Sequence, residues 1–316
     1  MQALYYKSYG GADVMYFDKV HKTKPRADEV GVRIHAAGVN PVDWKIREGA
    51  LDAAFKCEFP VIPGFDLAGV VDRIGDDVTH LKVGDQVFGY VRHDVVHVGT
   101  YADYGCFKAD QLAVLPEALS FEEGASIPIP ALTVWQALLE VAGVAPGQTV
   151  LIHGGAGGVG TFAVQVATQH GAKVISTASE ANLNHVLGLG AARAFNYESD
   201  TLWEDLVRAA PAGYDVIWDS VGGKTLENSY ALGRKNGVLI SLNERPLDAI
   251  CEARGIRAHL AHARPHAQQL GIVARLIADK SLVLPPIKVM PFVEAVEALN
   301  QSQSGHMRGK IVLKME

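Results

Sequence analysis

The apolar pattern changes rhythm once along the chain. Up to about residue 120, apolar residues come in short runs at 2–7, 29–37, 67–74, 86–90, 101–107 and 111–115. These runs are rich in Val, Ile, Tyr and Ala, and Gly, Pro and Asp separate them, so they predict strands. A short helix is expected over 39–48, after Asn40, and the polar segment 92–99 reads as a loop. From about 124, strands and helices alternate. Strands are predicted at 149–153, 173–177, 192–196, 214–219, 237–242 and 256–260. Helices are predicted between them, near 160–170, 180–188, 201–210, 223–232 and 246–254, with another near 266–279. Crossovers of this length force parallel pairing with right-handed connections, so the expected fold class is α/β with a doubly wound, six-stranded parallel sheet. Leu284-Pro285-Pro286 then breaks the rhythm, and a helix over 290–301 and a last strand over 310–315 are expected.

The most informative stretch is 149–160, TVLIHGGAGGVG, an apolar run followed by a glycine-rich turn and the helical pattern TFAVQVATQH. Gly155, Gly157 and Gly160 form G-x-G-x-x-G between a strand and a helix. Such a turn needs glycine backbone angles, and a pyrophosphate needs bare N–H groups at a helix N-terminus, where the dipole favours negative charge. Gly155, Ala156, Gly157, Gly158, Val159 and Gly160 are therefore candidate dinucleotide contacts. The tail after 285 lies beyond the six-strand unit and is expected to return to the β-rich part. The expected domains are 1–123 with 286–316, and an inserted nucleotide domain at 124–285, with a ligand cleft between them.

Composition narrows the class. The 316 residues include 29 Lys and Arg against 35 Asp and Glu, net charge −6, without a long basic run, which argues against a nucleic-acid partner. Cys57, Cys106 and Cys251 are far apart and odd in number, which predicts reduced thiols and a cytoplasmic setting. The start, MQALYYKSYG, lacks the pattern of a signal peptide, and no 18-residue apolar stretch predicts a membrane helix.

Several motifs occur in one order over nearly the whole chain: AGVNPVD at 37–43, PGFDLAG at 63–69, VGDQVFG at 83–89, Ala131-Leu132-Thr133, the glycine turn, DSVGG at 219–223 and GHMRGK at 305–310. In these the chain resembles the medium-chain dehydrogenase/reductase superfamily, in its zinc-free quinone oxidoreductase and alkenal/enone reductase branch. The resemblance implies a GroES-like first domain, a Rossmann second domain and a pyridine nucleotide. Zinc-bearing relatives have a cysteine where Asn40 stands and a His-Glu pair where Phe65-Asp66 stands, and only Cys106 falls in the region of their four-cysteine lobe. Zinc needs three or four converging ligands, so no zinc is expected. His93 and His97 lack an evident third ligand and read as solvated loop residues.

At the adenosine end, the second Rossmann strand ends in Thr177-Ala178-Ser179 rather than in an acid that would pair with the ribose 2′-hydroxyl of NAD. Thr177 and Ser179, with Asn182 and Tyr197 by resemblance, are candidates for a 2′-phosphate, so NADPH is expected over NADH. Glu180 and the absence of Lys or Arg between 178 and 190 count against that preference. Ser220, Val221 and Gly222 follow the fourth strand, and Ser241 and Leu242 end the fifth, where ligands cross such sheets. By resemblance, Asn40, Asp43, Lys45 and Thr133 lie at the nicotinamide end, with Arg308 and Lys310 approaching the phosphates or ribose. The alternatives are a helix cap for Asp43, a solvated lysine for Lys45, a helix-start residue for Thr133 and a charged approach to the last strand for Arg308 and Lys310. Without zinc an alcohol lacks its Lewis acid, so the hydride acceptor must already be electrophilic, a quinone or an α,β-unsaturated carbonyl. A rival reading is a nucleotide-binding protein with little turnover. A homodimer is expected, pairing the sixth strand across a two-fold axis.

Overall fold

The structure is a computed structural model that describes residues 1–305 and 308–315. In chain order its elements begin with β1 (Gln2–Tyr6), β2 (Met15–Lys19), β3 (Glu29–Val39), α1 (Pro41–Arg47), β4 (Asp66–Ile74), β5 (Gln86–Tyr90), β6 (Tyr104–Lys108), β7 (Leu112–Val114), α2 (Phe121–Ser126) and α3 (Pro128–Val134). A π-helix, Trp135–Ala142, follows and stops at Gly143, whose φ of 65° is left-handed. Next come β8 (Thr149–His153), α4 (Gly158–Gln169), β9 (Lys173–Ala178), α5 (Leu183–Gly188), β10 (Arg193–Asn196), α6 (Leu202–Ala209), β11 (Tyr214–Asp219), α7 (Lys224–Ser229), β12 (Gly233–Ser241), α8 (Asp248–Arg254) and β13 (Arg257–Leu260). The chain closes with α9 (Ala267–Ala278), β14 (Ile287–Pro291), α10 (Ala295–Gln303) and β15 (Lys310–Lys314). It divides into two compact units, Met1–Leu132 with Arg264–Glu316, and Thr133–Ala263.

The second unit holds a six-stranded sheet in the order β10-β9-β8-β11-β12-β13, with every pairing parallel. This is the doubly wound order, and the direction of winding reverses between β8 and β11. Val150, Leu151 and Ile152 are fully buried in β8, as a strand covered on both faces requires. Helix α6 buries Leu202, Leu206 and Ala209 and carries Glu204, Asp205 and Arg208 on its other side, the spacing that seats a helix on a sheet.

The first unit holds a seven-stranded sheet in the order β14-β15-β3-β4-β5-β7, with β6 also paired to β3. β15 runs antiparallel to β3, with Ile311 opposite Val39, and β3 runs antiparallel to β4, with Gly38 opposite Asp66. Two strands more than two hundred residues apart in sequence therefore flank the C-terminal end of β3. The core here includes Val30, Val32, Ile34, Leu67, Val87, Phe107, Leu299 and Leu313. Burying each such side chain stabilises by about 1.5–3 kcal/mol before entropy is counted.

The structure departs from the sequence pattern in three places. β2 pairs with β1, although MYFDK does not alternate; its residues are mostly exposed, so no buried face imposes a period. Residues 121–126 and 128–142 are helical. A readable signal lay in Ser120 and Glu123, since the Ser120 hydroxyl accepts from Glu123 N–H and the Glu123 carboxylate accepts from Ser120 N–H. The helix expected over 290–301 begins at Ala295, because residues 287–291 are drawn into parallel pairing with β15. Helix α9 clusters with the first unit and packs on β7.

Candidate active site

The second unit shapes a dinucleotide turn. Gly154 opens it at φ 76°, the left-handed region that favours glycine. Gly155 N–H donates to Thr177 O at 3.0 Å, and Gly157 N–H donates to Gly154 O at 3.1 Å. A Cβ on Gly155 would collide with Ser176 Oγ, and one on Gly160 would collide with Gly154 O and lie 2.8 Å from Gly155 Cα. A Cβ on Gly157 would meet only Gly154 O, at 3.4 Å. Two glycines are thus required by the protein's own packing, and the middle one leaves an open face. Helix α4 starts at Gly158 with no side-chain cap on its first turn. An open face beside an uncapped helix N-terminus is a geometry able to take an anion.

The other expected nucleotide residues divide. Ser179 Oγ accepts from Asn182 Nδ2 at 2.9 Å just past β9, and Tyr197, 51% exposed, is tied by its N–H to Ala178 O at 3.0 Å. These three residues therefore gather at one strand end. Thr177 turns inward: it is buried, and its Oγ1 accepts from Gly154 N–H at 3.3 Å. Ser220 Oγ donates to His153 O at 2.8 Å, and Asn243 Nδ2 donates to the carbonyls of Ser220 and Val221. Gly222 N–H donates to Asp219 Oδ1 at 3.1 Å, and Val221 is left exposed. Ser241 is buried, and Leu242 N–H is held by Asp219 O at 3.0 Å. Thr133 is buried too.

The first unit buries a charged network. Lys310, 5% exposed, donates from Nζ to Asn40 Oδ1 and lies 3.3 Å from Asp66 Oδ2. Asn40 Nδ2 donates to the same Asp66 oxygen at 2.8 Å and reaches Gly38 O at 3.5 Å. The other Asp66 oxygen accepts Ile129 N–H at 3.0 Å. Burial pushes the Asp66 carboxyl up and the Lys310 ammonium down, and each opposes the shift of the other. Strand pairing explains the assembly: the registers that set Ile311 opposite Val39 and Gly38 opposite Asp66 bring positions 310, 40 and 66 together.

Helix α1 starts here, with Asn40 at its N-cap and Pro41 at its first position. Asp43 reaches back to accept Asn40 N–H at 2.8 Å, and the same oxygen accepts the Tyr101 hydroxyl at 2.8 Å. The cap role weighed for Asp43 is thus filled. Tyr101 therefore belongs to this network. Asp66, embedded in the apolar run GFDLAGV, was missed as a site residue; a lone acid in a buried strand requires a partner, as does the lysine that opens KIVLKM. Lys45 is half-buried, its Nζ 5.6 Å from the centroid of the Trp44 ring, and Arg308 is exposed. His306 and Met307, within the GHMRGK motif, lie outside the described residues.

Burial holds the Asp43 carboxyl at about 7, against 3.8 when exposed. The folded state therefore binds this proton more tightly than the unfolded state does. Stability linked to Asp43 is full below about pH 3.8 and declines as pH rises towards about 7. Asp43→Asn, which keeps an oxygen acceptor, is expected to flatten the pH dependence of the urea midpoint across that window, by at most about 4 kcal/mol. An unchanged slope would show that Asp43 does not titrate there.

The ring centroids of His93 and His97 are 5.5 Å apart, and His97 Nδ1 contacts Val95 O at 3.0 Å. Among the described residues, no three His, Cys, Asp or Glu side chains gather as a metal site. No helix among them is long and apolar enough to cross a membrane.

Residues 26–117 match the alcohol dehydrogenase GroES-like domain, and residues 189–313 match a family described as zinc-binding dehydrogenase. That second match excludes positions 40 and 65, where zinc ligands stand in zinc-bearing relatives. A quinone oxidoreductase from Sus scrofa is 34% identical over 94% of this chain and 92% of its own length. A 2-methylene-furan-3-one reductase from Solanum lycopersicum is 37% identical over 99% of this chain and 79% of its own length. The crystal structure of Escherichia coli quinone oxidoreductase complexed with NADPH superposes with a TM-score of 0.89 at 26% identity, over 99% of this chain and 100% of that one. The chain therefore belongs to the medium-chain dehydrogenase/reductase superfamily, within its quinone oxidoreductase and alkenal/enone reductase branch.

Proposed function

We propose that the chain is an NADPH-dependent reductase of quinones or α,β-unsaturated carbonyls and that it works without zinc. One observation carries this reading: Asn40, Asp66 and Lys310 form a closed, buried network around an ammonium. Asn40 and Phe65 stand where zinc-bearing relatives have cysteine and histidine, and neither an amide whose oxygen is already taken nor a phenyl ring ligates zinc. A divalent cation beside the Lys310 ammonium would also be repelled. Bound NADPH would supply the hydride. An acceptor that conjugates its carbonyl needs only orientation, stabilisation of the developing oxyanion and one proton. Lys45, carried over by resemblance, is the proposed proton donor or ribose contact. Both Asn40 amide hydrogens are engaged within the protein, so its role becomes holding Lys310 and the start of α1.

The open face at Gly157 and the Ser179, Asn182 and Tyr197 cluster support NADPH binding by the second unit. Cys57, Cys106 and Cys251 are all free, which supports a reducing, cytoplasmic setting. Strand β13 ends its sheet, which supports a homodimer formed along that edge; a monomeric mass in solution would contradict it.

The test is oxidation of NADPH, and separately NADH, by chelator-treated protein offered an alkenal, a cyclic enone and an ortho-quinone. Rapid NADPH use with alkenal or enone, indifferent to chelator, is the expected result. Activity with the quinone alone would move the assignment to quinones, and equal use of NADH would overturn the reading at Ser179. Nucleotide binding with no turnover on any acceptor would sink the reductase and leave the low-turnover binding protein.

A further inference from the structure

His153, the last residue of β8, is buried at the point where the sheet reverses its winding. Its Nδ1 lies 3.2 Å from Thr177 Oγ1, and its Nε2 lies 3.1 Å from Ser229 Oγ. The Ser229 hydroxyl has one proton and lies 2.6 Å from Thr225 O, which can only accept. Ser229 must therefore accept from His153, which puts the ring proton on Nε2. Nδ1 is then a bare acceptor, and only the Thr177 hydroxyl can donate to it. Thr177 in turn accepts Gly154 N–H at 3.3 Å. One directional chain results: Gly154 N–H to Thr177, Thr177 O–H to His153, His153 Nε2–H to Ser229, and Ser229 O–H to Thr225 O. It joins the glycine turn to α7. The His153 carbonyl also accepts Ser220 Oγ at 2.8 Å, from the loop that leads into α7.

We propose that His153, fixed as its Nε2–H tautomer, is a positioning residue that couples the glycine turn after β8 to the 220–223 loop and α7, so that the two set the dinucleotide site as one unit. The proposal rests on the reading of this unit as the dinucleotide holder. The surroundings of the ring agree with it. Trp203 of α6 packs beside it with ring centroids 5.9 Å apart, Thr177 and Ser229 face it from β9 and α7, and Asp219 is its parallel neighbour on β11. Asp219 spends its carboxylate on the N–H groups of Val221 and Gly222. Burial without a charged partner pushes the imidazole down to about 4, so it stays neutral and single-tautomer at neutral pH.

The experiment measures the NADPH dissociation constant for the wild type, Thr177→Val, Ser229→Ala and the double variant, together with kcat and KM for NADPH. Coupling predicts that each single change weakens binding by roughly 5-fold, the effect of about one hydrogen bond. It predicts that the double variant is no more than about 2-fold worse than the poorer single, that Thr177→Ser restores binding, and that kcat is spared relative to KM. Independent, multiplying losses, or unaltered binding in Ser229→Ala, would overturn it. A histidine 15N spectrum of the intact wild type checks the tautomer without any variant: a protonated Nε2 beside a bare Nδ1 supports the proposal, and a protonated Nδ1 overturns it. A wild type that binds no dinucleotide would sink the functional reading and this proposal together, whereas binding with independent losses sinks the proposal alone.

Discussion

Lys310→Met is expected to lower the stability of the chain by about 3–5 kcal/mol, the usual cost of removing one partner of a buried ion pair. The loss does not come from the missing attraction alone. Asp66 is fully buried and, among the described residues, its Oδ2 is approached by Asn40 Nδ2 and Lys310 Nζ alone, so the variant leaves a carboxylate in an apolar interior with one donor on that oxygen. Asn40 Oδ1 loses its donor at the same time. Adding Asp66→Asn removes the stranded charge and keeps an acceptor for Ile129 N–H. The double variant should therefore regain at least half of the lost stability. It should not regain NADPH-dependent reduction of an enone, because the ammonium that holds Asn40 at the start of α1 is gone. Thermal midpoints of the two variants check the first part, with roughly 5–15 °C expected for the single change. An unchanged midpoint in Lys310→Met would mean that Asp66 does not rely on the ammonium.

Gly157→Ala should abolish useful NADPH binding and leave the fold intact. The added methyl would meet only Gly154 O, at 3.4 Å, so the chain can accept it. The same methyl would stand on the open face of the turn, between the bare N–H groups and any pyrophosphate. A loss of about 100-fold in affinity, about 2.7 kcal/mol, is expected. Gly160→Ala makes the contrast. Its methyl would fall within contact distance of Gly154 O and 2.8 Å from Gly155 Cα, so it should weaken binding and also cost about 1–3 kcal/mol of stability by overpacking. Calorimetric titration with NADPH, run beside thermal unfolding, separates the two. Normal binding by Gly157→Ala would remove the pyrophosphate from this turn.

The two variants also show why the two halves of the site differ in legibility. The dinucleotide turn could be read because its chemistry is local. The left-handed φ at Gly154 and the close packing at Gly155 and Gly160 are demands of one short segment, and they write glycine into neighbouring positions. The six strands and their five crossovers were legible for a similar reason, since a sheet covered on both faces leaves continuous apolar runs such as Val150-Leu151-Ile152. The Asn40, Asp66 and Lys310 network has no such local trace. Its members meet through the registers of β15 on β3 and β3 on β4, and no spacing in the sequence encodes a register. Thr177 lies at the strand end expected of it, with its hydroxyl turned inward to Gly154 and His153. Position along a strand follows from the pattern, but which hydroxyl turns inward depends on the neighbouring strand, here on the His153 ring. His153 leaves no local trace either, because a histidine closing an apolar run shows nothing of partners on β9 and α7.

The bond from Lys310 to Asn40 spans 270 positions of the chain. The second unit is continuous from 133 to 263, while the first must wait for β15 to complete its sheet. During synthesis, then, Asp66 emerges long before its ammonium does, and the part made first is the part finished last. A ribosome stalled short of residue 310 would hold a chain able to fold its nucleotide-type unit beside an N-terminal sheet with an unpaired edge on β3 and an unanswered buried acid. The charge at the centre of the first unit is therefore neutralised only once residue 310 has been made.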